Sequence, residues 1–233
     1  MASTPHARRR VTLTFVGLLA VAGLIAALAV AGTRADDAAH ARDRANVAAV
    51  SKTTAKQAAF HDAMRKLWED HITWTRLAIV SFAGDLPDLP ATEARLLRNQ
   101  TDIGNAVRPF YGKTAGDKLT ALLKEHIAGA VALMQAARSG DQAAVARAKA
   151  DWYVNGRQVS DFLSSANPAY LPRGEMRSMM RMHLDQTLSE AVNQLEGDYA
   201  AGVRDYDAIH RHILEMADAL SDGIIKQFPR RFR

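Results

Sequence analysis

A chain of 233 residues that is 48% hydrophobic is long enough to bury one sizeable core and too short for two full domains. The absence of cysteine excludes disulfides, thiolate metal ligands and thiol catalysis, so an exported fold must be held by its core or by other ligands. The formal charge of +5 is uneven: three of the 30 basic residues lie in the first ten positions and all 25 acidic residues come later, so the remainder, at +2, demands no nucleic acid.

Residues 1–10 form a basic n-region ending in Arg8, Arg9 and Arg10, and Val11 to Gly32 is an uncharged run of 22 residues. A signal-peptide core is roughly 7 to 15 residues and a bilayer-crossing helix ~20, while Ala29-Val30-Ala31 offers a cleavage site. Residues 1–32 therefore read as a cleaved signal or an uncleaved transmembrane anchor. Either way the positive flank stays cytoplasmic and the rest is exported, to the outer face of the cytoplasmic membrane or beyond it. The membrane is then a partner only if the segment is retained. Residues 33–54, alanine-rich and charged, read as a tether.

Scarce glycine and proline, abundant alanine and a lack of β-branched runs predict an all-α domain over residues 55–229. From Ala55 to Ala83, Met64, Leu67, Trp68, His71, Trp74, Thr75, Ala78 and Phe82 recur at three and four positions and mark one face of a long helix. Gly84 with Pro87 and Pro90 ends it, and a second helix starts near Ala91 with Thr92 as cap, carrying Leu96, Asn99, Ile103 and Val107. Pro109 and Gly112 predict its end. Thr114 to Asp117 reads as a capping box opening a third helix with Leu119, Leu122, His126 and Leu133.

Ser139-Gly140-Asp141 makes the next turn, with Asp141 capping a fourth helix whose stripe includes Trp152, Asn155, Val159 and Leu163. After the Pro168 and Pro172 loop comes a fifth with Met176, Met180, His183 and Thr187. The sixth shows Ile209, His212, Met216 and Leu220 and stops before Pro229. The expectation is three consecutive helical hairpins forming an antiparallel bundle behind the N-terminal signal or anchor helix.

Those hairpins form a degenerate internal repeat. His71, His126 and His183 precede Asp85, Asp141 and Asp198 by 14 or 15 residues, and Asn99, Asn155 and His212 follow the same aspartates by 14. Seventeen positions after each stand Asp102, Gln158 and Glu215. At about 1.5 Å per residue, groups equally far before and after a turn lie at one height, so the repeat predicts a buried polar layer. Packed helices build metal sites from such inward residues, and His212 with Glu215 three positions on carries the pairing of imidazole and carboxylate.

The candidate ligands of a divalent transition metal are His71, His126, His183, His212, Asp102 and Glu215; Arg76, Asn99 and Asn155 are candidates for holding a small ligand. The plainer reading is that each buried imidazole fills core space and bonds a neighbour. Trp68, Trp74, Trp152, Met176, Met179, Met180 and Met182 read as core, Arg76 as the partner of Glu69 or Asp102, and His210 as exposed.

Trp68-x-x-His71-x-x-Trp74-Thr75-Arg76, Asn99-Gln100-x-Asp102-Ile103-Gly104, Asn167-Pro168 and Gln227-Phe228-Pro229 together resemble a bacterial family of uncharacterised helical proteins, over residues 55–230. Some members carry the labels glycosyltransferase or acetylglutamate kinase. No Gly-rich phosphate loop or βαβ pattern stands behind those labels here, and the expected function is binding rather than catalysis. The alternatives are a sensing or protein-interaction module with a structural polar layer, and a metalloenzyme, which would need an open coordination position and a substrate cavity.

Overall fold

The computed structural model describes residues 54–233, and the signal or anchor and the tether up to residue 53 lie outside the described residues. The described part is all-helical: α1 (Ala55–Ala83), α2 (Leu89–Ser139), α3 (Gln142–Ala166), α4 (Arg173–Glu196), α5 (Tyr199–Gln227) and a short 3-10 turn (Pro229–Phe232). None of these helices is long and apolar enough to cross a membrane.

Each start has a local cause. Thr54, expected at the end of the tether, instead caps α1 in a capping box with Gln57, and its hydroxyl donates to Phe232 O at 2.6 Å, tying the helix to the chain's end. Asp141 accepts from Ala143 N and Ala144 N as expected. Thr92 does not cap: α2 begins earlier, with Asp88 at the cap position and Pro90 in its first turn, and Thr92 Oγ1 donates to Asp88 O at 3.1 Å. Of the three Gly-Asp turns, Gly140 and Gly197 take the left-handed backbone (φ 74° and 81°), whereas in the first Asp85 takes it (φ 48°) and Gly84 does not.

The expected boundary between the second and third helices shrinks to a single residue. Pro109 stays inside the helix, and only Gly112 leaves helical geometry, at φ 83° and ψ 170°, a conformation that favours glycine. The chain nevertheless reverses there. Twelve residues of straight helix would separate Gly104 from Gly116 by about 18 Å, yet a Cβ on either would lie 2.6 Å from the other's carbonyl oxygen. Asp117, expected in a capping box, instead bonds Arg108 across the reversal and Lys113 beside it. α2 is thus two arms folded onto each other with no room for a methyl between them. Gly104→Ala is expected to cost about 1–3 kcal/mol by overpacking, read as a lower urea midpoint.

Neighbours pack in sequence order, α1 on α2, α2 on α3, α3 on α4, α4 on α5, and α5 returns to α1, so the bundle closes on itself. Its core includes Met64, Trp68, Ile103, Leu119, Leu123, Trp152, Val159, Met176, Met180, Leu184, Ile213 and Met216. Phe60, Phe110, Phe228 and Phe232 close the end opposite the Gly-Asp turns. Two core expectations fail. Trp74 is half-buried under the Arg95 guanidinium, 5.1 Å from its ring centroid, and Met182 is exposed.

Candidate functional site

The periodic faces turn four histidines inward from four helical arms: His71 from α1, His126 from the second arm of α2, His183 from α4 and His212 from α5. All are at most 5% exposed. His183 sits among the others. Its ring centroid is 5.7 Å from that of His71 and 6.2 Å from that of His126, and His212 is near enough to disfavour its charging.

Three hydrogen bonds repeat along the chain. Asn99 Nδ2 donates to Leu67 O at 3.0 Å, Asn155 Nδ2 to Leu122 O at 3.1 Å, and His212 Nε2 to Met179 O at 2.8 Å. Each carbonyl stands four residues before a layer histidine, so the group following the turn clamps the helix preceding it at one height. Asn99 joins this pattern despite the proline loop before α2.

These bonds also set ring tautomers. With Asn155 Nδ2 committed to Leu122 O, its Oδ1 faces His126 Nδ1 at 2.9 Å, so Nδ1 carries the proton and Nε2 the lone pair. In His212 the proton is on Nε2 because a carbonyl only accepts, which leaves a lone pair on Nδ1, buried and without a hydrogen-bond partner. His71 Nδ1 is 3.2 Å from the amide nitrogen of Gln100, whose two hydrogens also serve Leu96 O at 2.9 Å and Asn99 Oδ1 at 3.2 Å. His183 Nδ1 has no partner.

Burial dominates the protonation equilibria. Desolvation, aided by repulsion from His126, lowers His71 to about 3, and desolvation partly offset by the Asn155 hydrogen bond lowers His126 to about 4. His183 is held well below the usual range by burial and its imidazole neighbours. His71, His126 and His183 are neutral at pH 7, the state in which imidazole binds metal.

The carboxylates stay outside. Glu215 Oε2 is 3.7 Å from His212 Nδ1, but the side chain is 72% exposed, and Asp102 is half-buried. For imidazoles bound at 2.0–2.1 Å around a tetrahedral ion, ring centroids would be about 5.2 Å apart, so the observed separations are roughly 0.5 to 1 Å too wide. Among the described residues no three His, Asp or Glu side chains form a ready-made metal cage.

Arg76 does not pair with Glu69 or Asp102. Its Nη1 donates to Glu190 Oε1 at 2.5 Å and to Gly202 O at 3.1 Å, with the guanidinium 5.2 Å from the Tyr206 ring centroid. Glu69 is taken by His210, which is half-buried rather than exposed. Glu190 is 2% exposed, and desolvation outweighs the bonded arginine and raises it to about 7. Sequence reasoning missed both Glu190 and Gln100. Glu190 lies seven residues after His183, two turns along the same helix face, and Gln100 adjoins Asn99.

No family model matches the chain, and no curated protein or solved structure matches it.

Proposed function

We propose that this chain is an exported helical bundle, built as three hairpins, that binds a divalent transition metal ion or a small ligand through its imidazole layer. The observation that carries the reading is the set of four buried imidazoles from four arms, with lone pairs left on His126 Nε2 and His212 Nδ1. His126 and His212 each have the opposite ring nitrogen fixed by a hydrogen bond, the arrangement that orients metal-binding histidines. His71, His126, His183 and His212 are the proposed ligands, Glu215 or Asp102 can join only by turning inward, and Asn99 and Asn155 support the layer. To share one ion, the His71–His183 and His126–His183 ring separations would have to close by roughly 0.5 to 1 Å.

Thermal unfolding with zinc, copper(II), nickel or manganese tests it. At 100 times its dissociation constant an ion bound to one native site stabilises by about 2.7 kcal/mol, a shift on the order of 5 to 10 °C for a domain this size. His126→Gln or His183→Gln should abolish the shift. Fractionation and mass spectrometry of the mature N-terminus test export and cleavage.

A structural layer is the second reading, favoured by the repeated clamps on Leu67 O, Leu122 O and Met179 O, which fix helix register whether or not anything binds. On that reading metal leaves the midpoint unchanged, and the same substitutions cost about 1–3 kcal/mol through unsatisfied buried groups.

A further inference from the structure

We infer that the end of the bundle at which α1 begins docks on an anionic lipid surface. Four elements meet there. Thr54 is tied to Phe232 O, and Arg231 reaches Pro109 O at 3.2 Å beside the Gly112 reversal. Gln227 holds the loop after α3 to the same end by donating to Ala166 O at 3.1 Å. Residues 1–53 enter the bundle here, so if Val11–Gly32 is retained as an anchor, the membrane-bound part of the chain runs into this end. The inference does not involve the imidazole layer; of the proposed function it shares only export, which fractionation tests separately.

The two ends of the bundle differ in charge. At the α1 end Lys56, Lys118, Arg230, Arg231 and Arg233 are exposed and pair with no carboxylate among the described residues. The carboxylates nearby are already shared between cations, Asp117 by Arg108 and Lys113 and Asp161 by Arg173 and Arg177. Asp62 and Glu175 are too few to reverse the sign. At the opposite end the turns expose Asp85, Asp88, Asp141, Glu196 and Asp198 around Arg138, which Asp85 already holds. A bundle charged in this way presents its α1 end to an anionic surface and turns the other end away.

The arrangement suits a bilayer. The unpaired cations are spread over the start of α1, the second arm of α2 and the terminal turn, so an extended surface meets all of them at once. Each Lys or Arg close to an anionic leaflet strengthens binding by about fivefold. Tyr170, 46% exposed in the loop between Pro168 and Pro172, adds an amphipathic ring of the kind that settles at the headgroup level.

The chain has no cysteine, so one fluorescent label can be placed at Ala169→Cys on this end or at Ala143→Cys beside the turns, both exposed positions. The purified full-length protein is combined with vesicles carrying a headgroup quencher, made of phosphatidylcholine alone or with phosphatidylglycerol added. The expected result is quenching of the Ala169→Cys label on the phosphatidylglycerol vesicles at about 0.1 M salt, lost at about 1 M, where the screening length falls to about 3 Å. The Ala143→Cys label should stay unquenched. Arg230→Gln, Arg231→Gln and Arg233→Gln together should weaken docking by about 100-fold while the helical circular dichroism is kept. Should that variant fail to fold, the lipid and salt comparisons decide. Equal quenching in the two lipids, equal quenching of the two labels, or quenching that survives in the folded variant or at high salt would each overturn the proposal. Tighter binding of a short DNA duplex or an acidic polysaccharide than of the vesicles would overturn it in favour of a soluble polyanion.

Discussion

Acidification from pH 7 to pH 4.5 is expected to remove at least about 2.5 kcal/mol of folding stability. His71, His126 and His183 have folded pKa values lowered to about 3, to about 4 and well below the usual 6.5. As pH falls below 6.5 the unfolded chain takes up protons that the folded layer refuses, so stability is lost on the acid side. His71 and His126 together cost about 2.5 kcal/mol between pH 7 and 5.5 and about 5 by pH 4.5, and His183 acts in the same direction.

Glu190 works in the opposite direction. Its folded pKa is raised to about 7 against 4.5 unfolded, so its penalty is present at neutral pH and relieved on acidification, returning about 1.5 kcal/mol at pH 5.5 and about 2.5 at pH 4.5. The net loss is at least about 1 kcal/mol at pH 5.5. Urea unfolding across this range measures it, and Glu190→Gln, which removes the opposing group, should make the acid loss steeper. A stability flat from pH 7 to 4.5 would show that the layer is open to water.

Arg76→Met is expected to cost up to about 1.5 kcal/mol more at pH 8 than at pH 5, because Glu190, ionised at pH 8 beside its cation with a folded pKa of about 7, must take up a proton once the cation is gone. At pH 5 Glu190 is protonated even in the folded state, no charge is stranded, and the loss should shrink to what the Gly202 O bond and the Tyr206 contact contribute. The paired measurement at the two pH values separates the lost ion pair from lost packing, since packing alone gives a pH-independent cost. The double variant Arg76→Met with Glu190→Gln should lose this difference between the two pH values.

The comparison of sequence with structure turns on what is local. Apolar recurrence at three and four positions determines which face of a helix is buried, and it places His71, Asn99, His126, Asn155, His183 and His212 inward without reference to any other helix. The equal spacing of these residues from the Gly-Asp turns determines their height, because the rise per residue is constant along a helix. Their shared layer was therefore legible before any packing was known.

Which neighbour a buried group meets depends instead on how the arms are turned about one another. Arg76 finds Glu190 from 114 residues away, and nearer candidates in sequence, Glu69 and Asp102, lie elsewhere. The reversal at Gly112 shows the same division: proline and glycine marked a boundary, but only the close approach of Gly104 and Gly116 shows that one residue suffices to turn the chain. Ring tautomers and the loss of charge in the layer belong to the tertiary structure alone. Hydrogen-bond partners, desolvation and cavities are properties of several helices at once, and no periodicity within one helix encodes them.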